Sequence, residues 1–267
     1  MNQLQDPNIY LSRLAKPLQE KLKIKEFIPR SSRNILDVGC ADGVVTQALA
    51  KIFPQTNFLG IDLNPDFISL AKNKSTNQKN VSFRNIYLRD LLAKKDKFDT
   101  IIFCSVLHEF FSYGEGLTSV VKAISDAYEL LNPGGKIIIR DMVLSETAKS
   151  DKVAFRSAFA KIKSTLSQDI LRGFEKLHGR IENSYQLNHL LLKYWYTENW
   201  DREGPENYVP VSEEKYLTLF SLLNLEIEHL SFYTIEFVKN KWISDFNLSV
   251  EELSLFRSTG ILVSRRS

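Results

Sequence analysis

The sequence predicts an α/β fold built on a mostly parallel, doubly wound sheet, and three observations carry that reading. Residues 34–43, NILDVGCADG, form an apolar strand running into a small-residue turn, and a helical stripe of Val44, Val45, Ala48, Leu49, Ile52 and Phe53 follows at once. Strand-like and helix-like segments then alternate as far as Asp141. Finally, Asp37, Asp62, Ser105 and Asp141 all fall at the carboxyl ends of predicted strands, where open sheets of this kind bind ligands.

The bulk numbers fit that class. The chain has 267 residues, enough for one large α/β domain or a domain with an elaborate insertion. It is 43% hydrophobic and 25% charged, ordinary for a globular protein. No apolar run reaches the ~18 residues needed to span a membrane. The N-terminus, MNQLQDPNIYLSRLAKPL, lacks the basic-then-apolar layout of a signal peptide. Cys40 and Cys104 make no disulfide framework and no zinc motif, so a reducing cytoplasm is the expected home. A net charge of +3 does not argue for a dedicated nucleic-acid binder.

Residues 1–33 precede the first strand. Leu11, Leu14, Leu18 and Leu22 recur at helical spacing and predict an amphipathic helix that packs on the domain or rims a cleft. The first strand is Ile35–Val38 and the turn is Gly39–Gly43. Gly39, Ala41 and Gly43 keep side chains off the turn, so a ligand can approach the backbone and the helix N-terminus. The dinucleotide pattern G-x-G-x-x-G is absent, since Ala stands at 41 and Val at 44.

Residues 58–65, FLGIDLNP, are a second strand ending at Asp62. An acid there, about twenty residues past the glycine turn, suits bidentate binding of ribose hydroxyls. Asn64 is the expected N-cap of the next helix, with Pro65 first and Asp66 in the first turn. Residues 81–90, VSFRNIYLRD, are a third strand and its exit loop, where Asn85, Tyr87 and Asp90 compete to meet an adenine amino group. Residues 97–109, KFDTIIFCSVLHE, are the fourth strand, with a centre apolar enough for burial on both faces. Gly114 and Gly116 open a helix, NPGG at 132–135 is a stop and turn, and Lys136–Arg140 is a fifth strand ending at Asp141. This alternation implies parallel strands with right-handed crossovers.

Four motifs are now in register: DVGCADG at 37–43, GIDLN at 60–64, FDTIIFCSVLHEF at 98–110 and LLNPGGKIIIRD at 130–141. In order and spacing the chain resembles the class I S-adenosylmethionine-dependent methyltransferases. The resemblance implies S-adenosylmethionine as cofactor and seven strands, the last antiparallel, with Leu225–Phe237 and Gly260–Arg265 as the closing pair. The helix from Ser212, capped by that serine and acidic in its first turn, would be the last of the core. By position, Asp37, Gly39 and Ala41 would surround the methionine end, with Cys40 and Gly43 of the same turn also at the cofactor. Asp62 would hold the ribose, Leu63 would lie against the adenine, and Ser105 would offer backbone groups near the sulfonium. Tyr87 stands where the family has an acid after the third strand, so the adenine contact stays open.

The core is then complete without residues 146–210, which are too many for an ordinary connection. The expected organisation is an N-terminal extension (1–33), a cofactor core (34–145 and 211–267) and a helical lid after the fifth strand (146–210). Val153, Phe155, Phe159, Ile162, Leu166, Ile170 and Phe174 predict one long amphipathic helix. Tyr194, Tyr196 and Trp200 belong to an aromatic stretch that either lines the acceptor or glues the lid to the core.

Methyl transfer is an in-line displacement that needs a general base only where the acceptor must lose a proton. His108, Glu109 and Asp141 are the candidates, with His108 foremost because an unperturbed imidazole titrates near neutrality. No histidine has a metal-ligand partner at suitable spacing, so no catalytic metal is expected. The expected activity is methylation of an oxygen or nitrogen of a small molecule. An RNA or protein methyltransferase and a non-catalytic cofactor-binding module are the alternatives, and nucleic acid is disfavoured because Ser105-Val-Leu-His108 replaces the Asn/Asp-Pro-Pro-aromatic motif of N-methylating enzymes.

Overall fold

The computed structural model describes residues 18–143 and 152–267. Leu11 and Leu14 of the N-terminal stripe lie outside them. The strands β1 (Asn34–Val38), β2 (Asn57–Asp62), β3 (Val81–Asn85), β4 (Phe98–Cys104), β5 (Leu131–Asp141), β6 (Leu225–Tyr233) and β7 (Thr259–Arg266) make one sheet in the order β3-β2-β1-β4-β5-β7-β6. The first five are parallel, and β7 runs antiparallel to both β5 and β6. The seven-stranded, doubly wound α/β architecture is therefore as the sequence predicts.

Period-two alternation distributes the strand side chains to two faces. Leu36, Val38, Ile101, Phe103, Ile137 and Ile139 join one buried cluster, and Ile35, Ile102, Cys104 and Ile138 join another. The helices before β5 are α1 (Leu18–Lys21), continued by a tighter turn through Phe27, α2 (Val44–Ile52), α3 (Pro65–Lys74), α4 (Asp90–Ala93), α5 (Leu107–Tyr113) and α6 (Leu117–Leu130). The first face packs on α6 through Val120, Ile124 and Ala127. The second packs on α2 through Leu49 and on the N-terminal Leu22 and Ile24. Helix α3 starts as its sequence dictates: the Asn64 side chain accepts from Asp66 N and Phe67 N, and Pro65 is the first helical residue.

Several boundaries differ from the expectation. The fourth strand stops at Cys104 instead of running to Glu109, because Ser105 takes a left-handed φ of +58° and the chain re-enters a helix, α5, at Leu107. The NPGG segment lies inside β5: Leu131 pairs with Phe98, the register shifts, and Lys136 then pairs with Thr100. The predicted long insertion helix is two, α7 (Lys152–Thr165) and α8 (Gln168–His178). Ser167 ends the first run by capping the second, accepting from Asp169 N at 3.3 Å. Helices α9 (Ser184–Lys193) and α10 (Trp200–Glu203) complete that region, and α11 (Glu213–Leu222) follows with Ser212 as its side-chain cap.

Strand β6 ends at Tyr233, and Phe237 lies in a helix, α12 (Glu236–Phe246), followed by α13 (Val250–Leu253). Trp242, Phe246, Leu253 and Phe256 of that segment share a buried cluster with Ile162, Phe174, Leu187 and Leu191. The helices after β5 thus share one hydrophobic cluster with the segment between β6 and β7.

Candidate active site

The glycine turn after β1 meets the end of β2. Gly39, Ala41 and Gly43 have φ of +70°, +46° and +74°, and left-handed backbone at a non-glycine residue is uncommon and concentrated at functional sites. A Cβ on Gly39 would lie 2.3 Å from Val106 Cγ2, so this position admits no larger residue without displacement. Asp62 holds the turn: Oδ2 accepts from Ala41 N at 2.9 Å and Oδ1 from Asn64 N at 2.8 Å. Each carboxylate oxygen has two lone-pair sites, so both can accept a further hydroxyl. Burial pushes the Asp62 carboxyl up, opposed by its backbone N–H donors.

Asp62 pairs in register with Asn85, whose amide donates to Asp62 O at 2.9 Å. Leu63 and Tyr87 follow these two strand ends and are 39% and 60% exposed. Asp37 is buried beside the turn and accepts from Thr46 Oγ1 at 2.6 Å. Burial pushes its pKa up to about 6. Cys40 and Cys104 are both buried with thiol pKa values raised by burial, which disfavours reactive thiolate. A carboxylate with free lone pairs, a turn without bulky side chains and two open apolar surfaces match the ribose, amino-acid and adenine parts of S-adenosylmethionine.

The second half of the site lies at the ends of β4 and β5. Because Ser105 turns the chain, α5 places His108 over Asp141. His108 Nδ1 is 2.8 Å from Asp141 Oδ1, and His108 N donates to Asp141 Oδ2 at 3.2 Å. His108 Nε2 is 4.0 Å from Glu206 Oε2, and its ring packs edge-on against Tyr208. Burial alone would lower the His108 pKa, but Asp141, Glu206 and Glu109 outweigh it and raise it to about 9. Glu109 is pushed up to about 7 by burial. Arg202 stands between two of these acids, 3.5 Å from Glu109 Oε1 and 3.6 Å from Glu206 Oε1, and the Tyr113 hydroxyl donates to Glu206 Oε1 at 2.6 Å.

His108, Glu109 and Asp141 are therefore gathered together, and Asp37, Gly39, Cys40, Ala41, Gly43 and Asp62 are gathered at the neighbouring strand ends. The proposed substrate residues are placed differently. Tyr194 is buried, donates its hydroxyl to Asp245 at 2.5 Å and packs edge-on against Phe246, within that shared cluster. Trp200 packs over Gly173 and Gly204 of the same region. Tyr196 packs against Tyr208, the ring that meets His108. Sequence reasoning did not single out Glu206, Arg202, Tyr113 or Tyr208. Glu206 and Tyr208 follow Gly204-Pro205, a turn signal that could have separated them from the helical stretch before it.

A methyltransferase domain family matches residues 29–200. Malonyl-[acyl-carrier protein] O-methyltransferase 1 of Ilyobacter polytropus is 27% identical over 126 residues, 47% of this chain and 44% of that protein. A ubiquinone biosynthesis O-methyltransferase of Coxiella burnetii is 28% identical over 115 residues, 43% of this chain and 45% of its own. The chain thus spans under half the length of these curated relatives. Among solved structures, an O-methyltransferase family protein from Burkholderia thailandensis superposes with a TM-score of 0.57 at 13% identity, covering 97% of this chain and 59% of that one. The N-methyltransferase NodS from Bradyrhizobium japonicum in complex with S-adenosyl-L-homocysteine gives 0.51 at 16%, covering 95% and 90%. These structural likenesses speak to the fold. With the family match over most of the chain, they place it: this protein belongs to the class I S-adenosylmethionine-dependent methyltransferases.

Proposed function

We propose that the protein transfers a methyl group from S-adenosylmethionine to an oxygen or nitrogen of a small-molecule acceptor, with His108 as general base. The observation that carries this reading is the doubly hydrogen-bonded His108–Asp141 pair at the β5 end, beside the cofactor turn. Bound cofactor would supply an electrophilic methyl group on a good leaving group. Asp62 would orient the ribose, Leu63 and Tyr87 the base, and Asp37 with the 39–43 backbone the amino-acid end.

A neutral hydroxyl or amine gains positive charge as it is methylated. Asp141 and Glu206 set a negative field where that charge appears, and such fields are strongest in buried sites. Asp141 fixes the imidazole so that Nε2 faces the site, and Nε2 takes the proton when it carries a free lone pair. Holding the acceptor in line is worth on the order of 7–11 kcal/mol in favourable cases, which gives the α7–α10 insertion its role as a cover over the β5 end.

The two curated relatives are named as a malonyl-[acyl-carrier protein] O-methyltransferase and a ubiquinone biosynthesis O-methyltransferase, which supports an oxygen as the accepting atom. The test is a screen of phenols, amines and carboxylic acids for S-adenosylhomocysteine release from S-adenosylmethionine. Release with at least one class supports the reading, and none with any class in cofactor-binding protein counts against it.

A further inference from the structure

Arg140 neighbours Asp141 on β5 but faces the other side of the sheet, the side of Ile138 and the N-terminal residues Leu22 and Ile24. It is 4% exposed, and its Nη1 donates to Ser105 Oγ at 2.9 Å. Among the described residues its buried Nε makes no well-formed hydrogen bond, and the buried Tyr233 hydroxyl lies beside the guanidinium with no other partner. Lys21, on α1, is 8% exposed. Among the described residues it makes no hydrogen bond or ion pair, yet it feels the charges of Arg140, Asp37 and Asp42. Lys23 lies over the Tyr233 ring at 4.8 Å and pairs with Glu20.

The balance of charge here is uneven. Buried lysine and arginine are normally paired, because an unpaired buried ion is strongly destabilising. Asp42 is committed to Lys74 at 2.5 Å, and Asp37 is occupied by Thr46. No carboxylate of the described residues forms an ion pair with Arg140 or Lys21. A guanidinium with an uncommitted Nε edge is shaped to take a carboxylate bidentately. Ser105 and Asp37 set this niche beside the glycine turn, at the carboxyl ends of the central strands, where the cofactor reading places the methionine end.

We propose that Arg140 and Lys21, with the Tyr233 hydroxyl, form a subsite for a ligand carboxylate. The inference rests on the methyltransferase reading, and the carboxylate has two possible sources: the amino-acid end of the cofactor, or an acid group on the acceptor. On either source the carboxylate would sit against two buried cations that form no ion pair among the described residues.

The test is calorimetric titration of the full chain with S-adenosylhomocysteine and with its analogue lacking the carboxylate, S-(3-aminopropyl)-5′-thioadenosine. If the cofactor is the source, the unmodified protein binds the analogue at least about tenfold more weakly, as loss of a charged hydrogen-bonded contact requires. Arg140→Met and Lys21→Met then each weaken S-adenosylhomocysteine without further weakening the analogue. If the acceptor is the source, both ligands bind alike. Acetate, malonate or benzoate then raises the melting temperature of the S-adenosylhomocysteine-saturated protein, and both variants lose that rise. The comparison of ligands in unmodified protein needs no variant to fold. Equal binding of both ligands with no stabilisation by any of the three acids overturns the subsite. Absence of S-adenosylhomocysteine binding, with acid stabilisation that depends on Arg140 and Lys21, keeps the subsite and overturns the cofactor reading instead.

Discussion

Asp141 holds His108 twice, through the ring Nδ1 at 2.8 Å and the backbone N–H at 3.2 Å. A carboxylate bonded to both the backbone and the ring of one histidine sets its position and its tautomer together. His108→Gln should therefore lower kcat by roughly 10²–10⁴, and Asp141→Asn should follow it, while S-adenosylhomocysteine affinity stays within about twofold. Unaltered turnover in His108→Gln removes the base assignment.

The same pair sets the pH dependence. A base works only when unprotonated, and a His108 pKa raised to about 9 keeps the ring charged through neutrality. The kcat/KM profile should climb about tenfold per pH unit from pH 7 and level off near pH 9. Asp141→Asn removes the strongest charge that favours the imidazolium, so the profile should level off at a lower pH. A flat profile between pH 7 and 9 contradicts a rate-limiting proton transfer to His108.

Asp37 links the cofactor turn to stability. Its pKa is about 6 in the folded protein and near 3.9 when unfolded. The folded state therefore binds more protons between those values, and stability falls as pH rises through that window. Above pH 6 the ionised carboxylate destabilises by on the order of 2–3 kcal/mol. Asp37→Asn keeps an acceptor for Thr46 Oγ1, so urea unfolding should show a gain at pH 7.5 that is absent at pH 4. Equal stability at both pH values in variant and parent sinks this account of Asp37.

Trp242 is buried in α12 and donates Nε1 to Leu191 O at 3.0 Å in α9, tying the late segment to the insertion. Trp242→Ala should cost about 3–5 kcal/mol. Hydrogen exchange should speed up in α9 and α12 while β1 and β4 keep their protection. Equal loss of protection in β1 would show that the insertion does not open as a separate unit.

How much of this was legible in the sequence depends on whether a signal was local. The 34–53 strand, turn and helix, the Asn64–Pro65 cap and the Ser212 cap each declare themselves within a few residues, and the structure follows them. Ser105 broke the fourth-strand reading because a serine at φ +58° carries no compositional mark. Leu166-Ser167 hid a helix break inside an unbroken apolar period. The helix Glu236–Phe246 was read partly as strand because Phe232 to Phe237 is apolar and aromatic, and the buried partners of Trp242 are distant in sequence. Glu206 and Arg202 escaped for the same reason: only the folded chain brings them to His108 and Glu109.

The Asp62 link to Ala41 supplies the binding counterpart of these predictions. Asp62→Ala removes both the expected ribose acceptor and the restraint on the turn, and should weaken S-adenosylhomocysteine at least about tenfold. Unchanged affinity would free Asp62 of the ribose role.

The most direct test of the central claim is thermal melting of the purified chain with saturating S-adenosylhomocysteine, set against NAD. Ligand that binds only the folded state stabilises by mass action, about 2.7 kcal/mol at a hundred times Kd. The account predicts a rise of several degrees with S-adenosylhomocysteine and none with NAD. A rise with NAD alone would contradict it.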